Sequence, residues 1–182
     1  MSSIPNTDSL SGLATAVGLS VNTSSSTSLR MTRMSELSQE TQEALRNAGW
    51  EVGRRVDTSE WRTRLAKDGF TIHETAERFL SEFGGLSVPH GGSGISRAKE
   101  AFEFDPLLAL GEGDRFSEWG ELIGKVIAPI GELAQGRYFL GIDEDGTIYL
   151  VADWLAQFGV GVNGVESLAL GVAPEVLYNS YP

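Results

Sequence analysis

The chain has 182 residues, with 14 Lys+Arg against 25 Asp+Glu, two His and no Cys, for a net charge of −11. Without Cys there is no disulfide, thiolate metal site or cysteine nucleophile, and two His leave little for a His-based metal centre. The charge argues against nucleic acid and against an anionic membrane surface, and leaves a basic protein as the natural electrostatic complement.

Residues 1–34 are rich in Ser and Thr and carry no apolar period, which predicts a disordered tail before a single domain at 35–182. Met31 and Met34 stand just before the first predicted helix as alternative starts. The mildly apolar stretch 10–21 lacks a basic flank and is interrupted by Ser and Thr, unlike a signal peptide. No segment approaches the ~18 apolar residues of a membrane helix. The expected location is the cytoplasm.

A helix is predicted from Glu36 to Ala48, with Leu37, Ala44, Leu45 and Ala48 along one side, Thr41 as a polar break, and Gly49 as its stop. Asp57 and Glu60 have capping-box spacing and open a helix that pairs Trp61 with Leu65. Thr71 and Glu74 make a fuller capping box, which places His73 in an exposed first turn. The helix they open aligns Ala76, Phe79, Leu80 and Phe83 and ends at Gly84-Gly85.

Residues 101–104 alternate as a short strand, broken by Asp105-Pro106. Asp114 to Ile127 reads as a helix closed by Pro129. Arg137 to Ile142 and Thr147 to Val151 flank Asp145-Gly146, a hairpin signal that predicts a type I′ turn. A last helix fits Val165 to Leu170. Helices come first and strands mixed with helices follow, so the fold class is α+β.

Three motif matches fail on context. Gly159-Val-Gly161-Val-Asn-Gly164 matches a dinucleotide fingerprint, but too little chain follows for the remaining βαβ unit and its acid. Asp143-Glu-Asp145-Gly146 resembles part of an EF-hand loop, yet Gly141 and Ala152 would fill ligand positions. His90-Gly-Gly-Ser-Gly94 resembles an oxyanion loop with no nucleophile elbow to serve. A hydrolase using His73 or His90 with a carboxylate is the weakest functional reading, no cofactor is implied, and the chain reads as a binder.

The charge is uneven. Residues 100–182 hold fourteen acids and only Arg115, Lys125 and Arg137 as bases, whereas residues 1–99 are nearly neutral. A solvated surface and an acidic docking face both fit that pattern.

The series Ala48-Gly49-Trp50, Gly53-Arg54, Asp57, Phe79-Leu80 and Phe83-Gly84-Gly85-Leu86 is followed by Pro129-Ile130-Gly131-Glu132, Gly136, Leu140, Ile142-Asp143 and Gly146-Thr147-Ile148-Tyr149. Their order and spacing resemble the SUKH superfamily, most closely its SUKH-3 branch of bacterial immunity proteins. The resemblance covers roughly residues 35–172 and leaves 152–164 unmatched. It implies one α+β domain, mainly an antiparallel sheet with helices packed on it, and a non-enzymatic role. Such proteins bind and neutralise a cognate toxin domain, often a nuclease or deaminase. A regulatory module of the same superfamily with another partner is the alternative.

The matched residues are expected to fix the fold. Trp50 anchors a helix to the sheet, Arg54 pairs with Asp57, Gly84 and Gly85 supply φ > 0 at a corner, and Gly146 serves the hairpin. Phe83, Leu86, Pro129, Gly131, Gly136 and Tyr149 belong to the same structural set. Contact with a basic toxin is expected from exposed acids of the second half: Glu112, Asp114, Glu118, Glu121, Asp143, Glu144, Asp145 and Asp153.

Overall fold

The computed structural model describes residues 36–179, so the expected tail lies outside the described residues. In chain order the elements are α1 (Gln39–Asn47), α2 (Ser59–Lys67), α3 (Glu74–Phe83), β1 (Ser87–Val88) and β2 (Phe102–Glu103). A 3₁₀ turn (Pro106–Ala109) leads to α4 (Gly113–Ile123), β3 (Ala128–Leu133), β4 (Tyr138–Ile142) and β5 (Thr147–Val151). β6 (Trp154–Val160), α5 (Val162–Leu170) and β7 (Glu175–Asn179) complete the chain.

The strands form one antiparallel sheet in sequence order, β1 to β7. Strand alternation gives the sheet two apolar faces. On β5, Ile148 and Leu150 join one core cluster, and Tyr149 and Val151 join the other. The first face takes α1, α3 and α5 through Leu45, Phe79, Leu80, Phe83, Val165 and Leu168. The second takes α2, the 3₁₀ turn and α4 through Leu65, Ala109 and Phe116. Each fully buried Phe or Leu stabilises by roughly 1.5–3 kcal/mol. Cover on both faces explains why β5 is an apolar run, Ile148 to Val151, and not an alternating strand.

Several local expectations change. α2 starts after Thr58, which makes no side-chain cap, and Asp57 instead accepts from Ser59 N at 2.9 Å. At α3 the cap is His73, not Thr71: its Nδ1 accepts from Ala76 N at 3.2 Å. The proton then sits on Nε2, which donates to Ile142 O at 3.1 Å, so His73 is half-buried and held at both nitrogens. α4 ends at Ile123 with Gly124 as its cap, and Pro129 lies inside β3. β3, β6 and β7 add strands where none was expected.

Arg54 does not pair with Asp57. Its Nη1 and Nη2 donate to Glu82 O and Gly84 O at 2.7 and 2.8 Å, at the C-terminus of α3. That end has no basic residue of its own, so Arg54 supplies the cation the helix dipole favours there. At the corner that follows, Gly85 has φ 76°, but Gly84 has φ −56°. Gly84 is required for space: a Cβ there would meet the Trp61 ring at 2.5 Å.

The β4–β5 turn is also of a different type. Gly146 N donates to Asp143 O at 3.1 Å, and Gly146 alone has positive φ, at 90°. A type I′ turn would need positive φ at Asp145 as well.

Candidate functional site

α4 is amphipathic. Phe116 and Gly120 face the sheet, while Asp114, Glu118 and Glu121 are exposed on its outer side. Trp119 fixes the helix by donating its indole N–H to Ala152 O at 2.9 Å, and its ring lies 6.2 Å from that of Tyr178 on β7. This contact brings the β5–β6 turn against α4, and Asp153 with it. Arg115 then bridges Glu112 at 2.9 Å and Asp153 at 3.2 Å. Glu112, Asp114, Glu118 and Asp153 surround a single open cleft of about 600 Å³ with Trp119 and Arg115.

The other end of α4 meets the β4–β5 turn. Glu144 accepts from Val126 N at 3.1 Å, and Lys125 is ion-paired with Asp145. The Asp145 carboxylate beside Lys125 holds its ammonium pKa above the usual lysine range. Glu121, Lys125, Val126 and Glu144 line a second cleft of about 390 Å³. Helix acids and hairpin acids therefore share one surface, joined through the 124–126 loop. Seven exposed or half-buried carboxylates lie on it against Arg115 and Lys125. Leu122 and Val126, 52% and 40% exposed, add apolar area among them.

Asp143 does not belong to that surface. It is 1% exposed. Its Oδ1 accepts from Asp145 N and Thr147 N at 3.0 and 2.8 Å, and its Oδ2 accepts from Tyr149 Oη at 2.9 Å. A carboxylate satisfied by three donors shapes its own turn and has nothing to offer a partner. The cations Arg115 and Lys125 are the site residues that sequence reasoning passed over. Arg115 lies three residues from Glu112 on the helical spacing, a visible signal, whereas its partner Asp153 lies 38 residues away.

The residues that carry the family resemblance occupy other places. Trp50 is buried and stacks on Phe83, with ring centroids 6.3 Å apart. Leu86 is buried, and its carbonyl accepts from Phe104 N at 2.9 Å. Pro129 and Gly131 bracket a bulge in β3, and a Cβ on Gly131 would press on the β2 backbone at the Glu103 carbonyl, whose carbon is 2.9 Å away. Gly136 lies in the β3–β4 turn. Gly53, Arg54, Phe83 and Gly146 converge on a third cleft, between α3 and the start of α5. His90 packs against Phe102, and burial, then the nearby Lys99 charge, pushes its pKa down.

Among the described residues no helix is long and apolar enough to cross a membrane. No curated protein and no solved structure matches the chain significantly. The model of the SUKH-3 immunity protein family matches residues 37–170, which include both faces of the sheet and all of α4. The chain belongs to the SUKH-3 immunity protein family.

Proposed function

We propose that this protein binds a cognate toxin domain in the cytoplasm of the producing cell and neutralises it by covering a basic surface, without chemistry of its own. The family supplies the immunity role. The observation that carries the choice of surface is the continuity of the acids along α4: Glu112, Asp114, Glu118 and Asp153 at one end, Glu121, Glu144 and Asp145 at the other. A toxin that acts on nucleic acid needs positive surface to hold phosphates, and an acidic inhibitor gains encounter rate and specificity by occupying it. Leu122, Val126 and Trp119 supply the apolar contact area that charge alone does not provide.

The test is co-expression with the toxin domain encoded beside it, scored by growth and by co-purification. Wild type is expected to rescue growth and to be captured with the toxin. Reversal of Glu118, Glu121, Glu144 and Asp153 to Lys is expected to abolish both while the far-UV spectrum and melting temperature hold. Rescue by that variant would remove the acidic face from the proposal. No rescue by wild type would remove the immunity role against that toxin.

A further inference from the structure

The third cleft lies on the face of the sheet covered by α3, opposite α4. Phe79, Phe83, Ile142 and Val162 provide its apolar wall, and Arg54, Arg55 and Arg78 border it. Phe83 and Ile142 are 3% and 1% exposed, so the floor belongs to the folded core and is preformed. Its volume is about 140 Å³, near the ~150 Å³ at which an apolar cavity accepts a benzene ring.

The three guanidinium groups are not equivalent. Arg78 is neutralised by Glu74 at 2.7 Å. Arg54 spends its donors on the carbonyls of Glu82 and Gly84, at the negative end of the α3 dipole. Arg55 is exposed, and its side chain has no hydrogen-bond or ion-pair partner among the described residues. Glu82 is the one carboxylate on the lining. The site is therefore positive on a chain whose net charge is −11, and Glu82 disfavours a ligand with more than one negative charge. A guanidinium with free donors takes a carboxylate in a bidentate, charge-assisted geometry.

We infer that this cleft binds an aromatic ring carrying one carboxylate, the ring against Phe79, Phe83, Ile142 and Val162 and the carboxylate on Arg55. Two sources present that chemistry: a free aryl carboxylate, and an aromatic residue next to an acidic one in a protein segment. Neither uses the acidic face, so the site stands or falls apart from the toxin-binding proposal.

The test is titration of the ¹⁵N-labelled full chain with phenylacetate, and separately with the peptide acetyl-Gly-Phe-Asp-Gly-amide, following the amides of Gly53, Gly146 and Gly161. All three glycines line the cleft. At least one probe is expected to shift these amides saturably. Phenylacetate alone identifies a small-molecule site, the peptide alone a protein-segment site, and both show that ring and carboxylate suffice. Phenylacetamide, neutral and nearly isosteric, is expected to bind about fivefold or more weakly than phenylacetate, and Arg55→Glu to weaken the effective probe by a similar factor. Val162→Phe, which fills the floor, is expected to abolish the shifts. If that variant is unstable, Arg55→Glu decides, because Arg55 is exposed and holds nothing else in place. No saturable shift with either probe, or an effective probe indifferent to Arg55→Glu, overturns the inference.

Discussion

The phenolic oxygen of Tyr149 donates a 2.9 Å hydrogen bond to the Asp143 carboxylate, linking the middle of β5 to the turn that starts it. Both residues are buried, at 5% and 1% exposure. The same carboxylate holds two backbone N–H groups of the turn, so one acid satisfies three donors. Asp143→Ala strands all of them and is expected to destabilise the domain by about 2–4 kcal/mol. Tyr149→Phe removes one donor from a buried carboxylate and is expected to cost about 1–2 kcal/mol. Urea unfolding of the two variants checks the order. Equal stability of Asp143→Ala and wild type would show that the turn does not depend on its acid.

The same pair makes stability fall at high pH. Burial first, and the Asp143 hydrogen bond second, push the Tyr149 pKa up to about 12, against 10.0 for a free tyrosine. Between those values the unfolded chain has lost the phenolic proton and the folded chain still holds it. Stability therefore declines as pH rises through this window, and the contribution is fully present below pH ~10. Other tyrosines and lysines titrate here too, so the informative quantity is the difference between wild type and Tyr149→Phe. That difference is expected to shrink from pH 9 to pH 12. A constant difference would mean that the phenol ionises alike in both states.

The fold was legible where local chemistry decides it and hidden where distant groups do. Phe79, Leu80 and Phe83 read as a buried helical face because their spacing is itself the signal. β6 escapes a polar–apolar pattern because both of its faces are covered: Trp154, Ala156 and Phe158 join one core cluster and Leu155 the other. β1 is two residues long, too short for any period, whereas the alternation of residues 101–104 does mark β2. Asp143 read as a surface acid because turns favour Asp, but Tyr149 and two backbone N–H groups draw it inward. In the candidate site, Glu118 and Glu121 were visible as one helix face. Their union with Glu144 and Asp153 depends on the Glu144–Val126 and Arg115–Asp153 contacts, which no sequence spacing reports.

Gly84 and Gly146 are expected to resist substitution for opposite reasons. Gly146 has room, since the nearest atoms to a Cβ are 3.8 Å away, but its φ of 90° strains other residues. Gly146→Val is expected to cost about 1–3 kcal/mol, and Gly146→Asn less, because Asn tolerates that conformation. Gly84 has an ordinary φ of −56° and no room beside Trp61 and Leu80 O. Gly84→Ala is expected to cost about 1–3 kcal/mol by overpacking and to shift the tryptophan fluorescence, and Gly84→Asn to be worse. Thermal melts of the four variants separate strain from crowding. Equal rescue by Asn at both positions would contradict the distinction.

The acidic face should reveal itself in rates. Its carboxylates are mostly exposed, so their influence reaches a partner through solvent, where charges are screened beyond about 8 Å at physiological ionic strength. Association with a basic toxin domain is expected to slow by about tenfold or more as salt is raised from low to high. Reversing Glu118, Glu121, Glu144 and Asp153 to Lys is expected to lower the association rate and to flatten or invert its salt dependence. The dissociation rate is expected to change less, because rim charges act mainly on encounter. Asp143→Asn offers the internal contrast. It removes a charge of the same sign from the same hairpin, but a buried one already engaged by three donors. Its effect is expected on stability, with the association rate of the folded fraction unchanged. Stopped-flow mixing across a tenfold range of salt measures both. A quadruple variant that associates at the wild-type rate throughout would leave these acids only the role of keeping the protein in solution.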